Sequence, residues 1–303
     1  MRVASLLPSA TEMVFFAGAG DALVGVTHEC DYPPGVESLP KLTSSKIDAS
    51  LSSAEIDAAV KRLTDSGSLY ALDAGLLEEL SPDLVLTQGL CDVCAVSASV
   101  VERAVAGLAS RPEVLSLDPA SLDEVLDDAV RVGGALGREG ETREKVAALR
   151  GRLARVEGAV AGLGRPRVAC VEWLDPPFSA GHWVPEMVRL AGGEELLAAP
   201  GEPSARITWR EVREAAPDVL VLMPCGFDAR RAAAEAGSLS KLPGWEDLPA
   251  VRDGRVWAAD ANSHFSRPAP RLVEGVEILA RILHPEVFAG EPESAIHLPL
   301  YAG

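Results

Sequence analysis

Two thiols, Cys91 and Cys94, stand in Cys-x-x-Cys spacing inside "TQGLCDVCAVS", directly after the apolar run "PDLVL". That spacing suits a metal claw, a redox pair, or a nucleophile with its partner. A structural zinc knuckle would need a second claw close by in sequence, and none follows. A thioredoxin-like motif opens its helix with the first cysteine. Here Gly89 and Leu90 precede it, which leaves a redox pair open. Helix N-termini lower thiol pKa values and favour anions, so thiols at a strand-to-helix turn can also meet a metal or a metal-containing ligand. The plainer reading is a tight turn that tolerates small residues.

Other residues of ligating or stacking type fall in comparable turns. "THECDYPP" follows "LVGV" and holds His28 and Cys30. "WLDPPFSAGHW" follows "VACVE" and holds Trp173, His182 and Trp183. "PCGFD" follows "VLVLM" and holds Cys225, and "ANSHFSRPAPR" follows "RVWAAD" with His264, Phe265 and Arg267. Ligands of open α/β sheets bind beyond the carboxyl ends of the strands, so these turns make one candidate site. Cys91, Cys94, His28 and His264 are its metal-ligand candidates. Trp173, Trp183 and Phe265 offer a flat stacking surface, and Arg267 suits a ligand carboxylate or phosphate. Against this, a lone loop histidine is more often a surface polar group, and aromatic turns also serve packing. Cys170 lies mid-strand and reads as a buried small hydrophobe.

The elements that position these turns come in two sets. "RVASLLPSATEMVFFAGAGDALVG" from Arg2 and "RVACVEWLDPPFSAGHWVPEMVRLAGGEELL" from Arg167 both run from an apolar strand through a proline turn to Glu-Met-Val and a glycine stop. "SPDLVLTQG" and "APDVLVLMPCG" then repeat a Pro-Asp step into a continuous Val/Leu strand. Such strands are covered on both faces, as in parallel sheets flanked by helices. The expectation is an α/β fold: two Rossmann-like lobes with parallel sheets, residues 1–118 and 167–303. The segment 119–166 joins them. There Val146, Leu149, Leu153, Val156 and Val160 recur at helical spacing, and Gly164 and Pro166 end the pattern, so one long helix links the lobes.

The formal charge of −17 argues against a nucleic-acid partner. Seven of the 45 acidic residues fall in "SLDEVLDDAV" and "GREGETREKV", which read as solvated helix faces. No apolar run reaches the roughly 18 residues of a membrane span. "MRVASLLPSATEMVFF" lacks the pattern of a signal peptide. As written the chain is expected in the cytoplasm, or in the periplasm if a leader has been removed. Five cysteines do not make a disulfide framework in a chain this long.

The ordered set "RVASLLPSATEMVFFAGAGDALVGVTHECDYPP", "SPDLVLTQG", "DPPFSAG", "EMVRLAGGEELL" and "SRPAPRL" resembles the cobalamin-binding proteins of ABC importers, in the helical-backbone metal-receptor superfamily. The resemblance runs nearly end to end. It implies a non-enzymatic binding protein that holds a small-molecule ligand between two lobes: cobalamin or a related corrinoid, haem, an iron chelate or a metal ion. Arg267 matches the family's cleft arginine, and the segments "THE", "TSSK" and "TQG", with Glu29 and Gln88, take the place of first-lobe ligand contacts that are aromatic in the cobalamin binders. An ABC permease is the implied partner. Glu211 stands near the docking acid of the second lobe, whereas the first-lobe equivalent falls near Gly75. Two other readings stay open: a direct metal-ion receptor using Cys91, Cys94, Cys225, His28 and His264, and a thiol-dependent enzyme using the Cys-x-x-Cys.

Overall fold

The computed structural model of the chain describes residues 1–64, 69–89 and 98–298. The chain divides into two compact units. Met1–Leu51, Glu55–Pro119 and Asp123–Ala147 form the first; Ser52–Ala54, Ala120–Leu122 and Ala148–Gly303 form the second.

In the first unit the strands are β1 (Val3–Ser5), β2 (Leu23–Gly25), β3 (Thr43–Ser45), β4 (Tyr70–Leu72), β5 (Leu84–Thr87) and β6 (Glu113–Ser116). Four of them form a parallel sheet in the order β2-β1-β5-β6, and β3 and β4 pair antiparallel as a separate ribbon. Helices α1 (Pro8–Phe16), α2 (Ser53–Thr64), α3 (Ala74–Leu80), α4 (Ala98–Ala106) and α5 (Leu122–Ala135) intervene or follow. Every residue of β1 and β5 is buried, as their continuous apolar runs require. Ala4 and Val85 pack with Leu6, Leu42, Leu77, Val101 and Leu108 in one core cluster. Each large aliphatic side chain there contributes about 1.5–3 kcal/mol by leaving water.

Helix α5 presents Leu122, Val125, Leu126, Ala129 and Val132 to the interior. Its acid run is therefore only partly a solvated face. Asp128, expected outside, is buried and held by Arg131 one turn on. Helix α6 (Glu139–Val160) follows and spans about 33 Å at 1.5 Å per residue. Val146, Leu149, Val156 and Val160 are buried as the spacing predicts. The helix stops earlier than the sequence suggests, with Gly162 already in the left-handed region at φ 81°.

The second unit repeats the plan. Its strands are β7 (Arg167–Leu174), β8 (Pro177–Ser179), β9 (Glu194–Glu195), β10 (Val219–Leu222), β11 (Val256–Ala259) and β12 (Ala295–His297). Its further helices are α7 (Val184–Leu190), α8 (Trp209–Ala215), α9 (Ala229–Ala236), α10 (Pro249–Arg252), α11 (Ala261–His264) and α12 (Leu272–Leu283). β9, β7, β10 and β11 run parallel, in the places of β2, β1, β5 and β6. Two additions are antiparallel: β12 covers the edge of β11, and β8 folds back on β7.

The repeat persists to single hydrogen bonds. Asp83 Oδ2 accepts the Arg2 amide at 2.7 Å, and Asp218 Oδ2 accepts the Arg167 amide at 2.9 Å. The helix before each Asp ends on a left-handed residue, Ser81 (φ 44°, ψ 62°) and Ala216 (φ 43°, ψ 62°). The Arg2 side chain donates to Leu80 O, and the Arg167 side chain donates to Ala215 O and Ala216 O. The Pro-Asp step seen in the sequence is thus a clasp that ties each central strand pair at its amino end.

β9 and β8 share one edge of β7, β9 against Arg167 and Val168, β8 against Val171 to Leu174. The gap between them is closed by a side chain. Glu195 Oε2 accepts the Cys170 amide at 3.1 Å and Oε1 accepts the Leu197 amide at 3.0 Å.

Candidate functional site

In the first unit the turns after β1 and β2 meet through hydroxyl and thiol groups. Thr11 Oγ1 donates to Ser5 Oγ at 2.8 Å and lies 3.2 Å from Cys30 Sγ; Thr27 Oγ1 lies 3.4 Å from the same sulfur. Cys30 is buried, so it fixes the "THEC" turn to α1. His28 rides on that turn. Its Nδ1 lies 2.8 Å from Thr43 Oγ1, which also accepts the His28 amide at 3.2 Å. Nε2 is enclosed and makes no hydrogen bond; Glu29 Oε1 is 3.9 Å away. Burial, helped by Lys41, holds the imidazole below its ordinary pKa, and a neutral imidazole is the form that ligates metals.

Tyr70 completes this group. Its ring centroid lies 5.7 Å from that of His28, and its hydroxyl is 3.5 Å from Glu29 Oε1. The sequence reading missed it, because β3 and β4 are three-residue strands separated by α2. Gln88 is buried at the end of β5, and the next amide, Gly89, donates to Asp118. Cys91 and Cys94 lie outside the described residues.

The second unit corrects several expectations. Trp173 is not in a turn. β7 continues through it to Leu174, and Trp173 pairs with Phe178 across the β7–β8 hairpin. The Pro- and Ser-rich segment still supplies a strand because Phe178 and Ser179 alternate faces against β7. Trp173 also meets Phe227 edge-on at 5.6 Å, and the Arg231 guanidinium lies 3.5 Å from the Phe227 ring centre. Such a cation–π contact orients a positive charge over an aromatic face. Neither Phe227 nor Arg231 was singled out in the sequence.

Trp183 and Phe265 are packing residues and offer no open stacking face. Trp183 is 5% exposed and donates from Nε1 to Phe265 O at 2.7 Å, while Phe265 is 2% exposed. A residue at a helix start can point inward or outward, and no periodicity in so short a turn distinguishes the two. His182 is half-buried and left-handed, at φ 54°. Its amide donates to Glu202 O at 2.6 Å and its carbonyl accepts from Gly201 N at 2.9 Å. Gly181 beside it is obligatory, since a Cβ there would come within 2.3 Å of the Ser204 amide. Burial lowers the His182 pKa.

Cys225 is exposed at the end of β10, with its amide on Glu172 O at 2.9 Å. His264 closes α11. Its Nε2 lies 3.1 Å from Ser294 Oγ, while Nδ1 is enclosed without a hydrogen bond, 3.6 Å from Glu274 Oε2. Burial lowers its pKa, opposed by Asp260 and Glu274. Arg267 is half-buried in the turn that leads into α12. Among the described residues no three His, Cys, Asp or Glu side chains gather as a metal site. Glu211 is exposed and locked in a capping box with Thr208, which lowers its pKa, whereas Gly75 occupies the corresponding start of α3.

This arrangement is two parallel sheets with polar and aromatic groups at their strand-end turns. A family model described as periplasmic binding protein matches residues 3–262. The chain belongs to the periplasmic binding protein family. Among its relatives, the vitamin B12-binding protein of Vibrio cholerae is 27% identical over 282 residues, 91% of this chain and 86% of the relative. An uncharacterized ABC transporter substrate-binding lipoprotein of Bacillus subtilis, YvrC, is 24% identical over 294 residues, 95% of this chain and 81% of the relative.

Among solved structures, a periplasmic heme binding protein from Pseudomonas aeruginosa aligns with a TM-score of 0.74 at 21% identity, covering 100% of this chain and 99% of that one. The periplasmic vitamin B12 binding protein BtuF of Vibrio cholerae aligns at 0.68 and 21%, covering 94% and 96%. At such identity these two structures show the fold. Periplasmic binding proteins of this kind are substrate-binding proteins and not enzymes, which removes the thiol-enzyme reading of the Cys-x-x-Cys.

Proposed function

We propose that this periplasmic binding protein takes a corrinoid of the cobalamin type at its strand-end turns and delivers it to an ABC permease. The observation that carries the reading is the length of the matches to proteins so named. The vitamin B12-binding relative spans 91% of the chain, and a cobalamin-binding protein of Halobacterium salinarum is 25% identical over 93% of it. The half-buried Trp173 beside Phe227 and Arg231 supports a large, flat ligand with polar edges. Haem is the second reading. It is favoured by Tyr70 next to His28, a phenol and a neutral imidazole, both of metal-ligating type.

Titration of the purified protein with cyanocobalamin and with hemin, followed by visible absorbance and tryptophan quenching, tests both. Saturable one-to-one binding of cyanocobalamin supports the corrinoid, and a Soret shift that Tyr70→Phe abolishes supports haem. Binding of neither at micromolar concentration rejects the proposal. The permease role is tested by whether loaded protein stimulates the transporter's ATP hydrolysis.

A further inference from the structure

The main chain at Gly89, just past β5, is held by a polar chain of residues from the first unit. The Gly89 amide donates to Asp118 Oδ1, and Ser116 Oγ donates to Asp118 Oδ2 at 2.6 Å. Ser116 O in turn accepts from Arg131 Nη2 at 3.2 Å, and Arg131 Nη1 is paired with the buried Asp128 Oδ1. Helix α5 therefore reaches, through one arginine and one aspartate, the main chain just beyond Gln88. Asp118 spends both carboxylate oxygens on this task. Asp128 is fixed by its burial, so the chain has a rigid end from which to act.

We infer that Asp118 is a positioning residue for ligand binding, setting the backbone of the Gln88–Gly89 turn from the frame that Ser116, Arg131 and Asp128 provide. The inference rests on the proposed function for its ligand, though the tether itself does not. Without Asp118 the amide of Gly89 has water as its partner, and the turn samples more conformations before a ligand can meet it. Binding then has to order what was already ordered. Loss of one charge-assisted hydrogen bond at an exposed position weakens affinity about tenfold. Asp118→Asn keeps an acceptor for Gly89 and a donor for the Ser116 hydroxyl, so it restores most of the effect.

Asp83 provides the control. It accepts a backbone amide in the same way but at the amino end of the same strand, β5. The experiment compares wild type, Asp118→Ala, Asp118→Asn and Asp83→Ala by cyanocobalamin and hemin titration, by melting temperature, and by hydrogen exchange at the Gly89 amide. The expected result is about tenfold weaker binding and faster Gly89 exchange in Asp118→Ala, with both recovered in Asp118→Asn. Asp83→Ala should lower the melting temperature and leave both readouts unchanged. Wild-type affinity in Asp118→Ala, or equal loss in Asp83→Ala, overturns the inference. If wild type binds neither ligand, the proposed function fails separately. The Gly89 exchange rate then decides, and an unchanged rate overturns the tether.

Discussion

Replacing Glu195 with glutamine should shift stability in the variant's favour as the pH rises from acid to alkaline. Its carboxylate closes the ladder between β9 and β8 by accepting two amides, and the Cys170 thiol also hydrogen-bonds it. Burial outweighs these bonds and raises the pKa from 4.5 to about 7. The folded state therefore favours the protonated acid. The contribution of this group to stability is complete below about pH 4.5, fades as the pH rises toward 7, and above 7 is a constant penalty. At about 1.4 kcal/mol per pH unit of displacement, that penalty is about 3 kcal/mol. The residue keeps some contact with solvent, so about 2 kcal/mol is the better expectation.

Glutamine never has to ionise, but its one carbonyl oxygen can serve only one of the two amides, which bond to different oxygens of the carboxylate. By calorimetry, Glu195→Gln should melt below wild type at pH 4.5, where the protonated acid still serves both amides, and gain several degrees relative to wild type between pH 4.5 and pH 8. Burial, helped by the same Glu195 carboxylate, holds the Cys170 thiol well above its ordinary pKa. A melting difference that is equal at both pH values would refute an enclosed carboxylate as its cause.

Two other perturbations probe the packing around the candidate site. Gly275→Ala would place a methyl 2.3 Å from His264 O and 2.6 Å from Met187 Cε, so overpacking should cost about 1–3 kcal/mol in a denaturant titration, and wild-type stability would contradict the contact. Iodoacetamide should label the exposed Cys225 quickly and reach the buried Cys30 and Cys170 only on unfolding, with equal rates by peptide mass spectrometry as the contrary result.

The two-unit plan was legible because each half announces its central strands twice, by apolar continuity and by a Pro-Asp step. Asp83 and Asp218 show why the second signal is dependable: a short acid at that place ties a neighbouring strand's amide. The site was legible only as a set of turns. The turns that carry His28, Cys225 and His264 follow β2, β10 and β11 as the sequence suggests, but the direction of each side chain was not legible. Trp183 and Phe265 turned inward because each finds the other, and that contact joins residues 82 positions apart. Tyr70 was missed for the same reason, since topology brings His28 and Glu29 to it. Phe227 and Arg231 stand four apart in the sequence, but Trp173 reaches them through topology, as Gly89 reaches Asp118.

The outer edges of β6 and of its counterpart in the second unit differ. In the second unit the matching strand, β11, is covered along its length by β12. In the first unit, among the described residues, β6 has β5 as its strand partner on one side only. Glu113 N and Leu117 N bond toward β5, so alternation turns the main-chain groups of Val114 and Ser116 the other way. An open edge of this kind is a template on which a foreign strand can add. Pro112 stands at its start, and the Arg131 guanidinium occupies the Ser116 carbonyl. A chain that lost this arginine would offer its neighbours a free carbonyl beside an exposed valine, and the first sign of the loss would be self-association in solution.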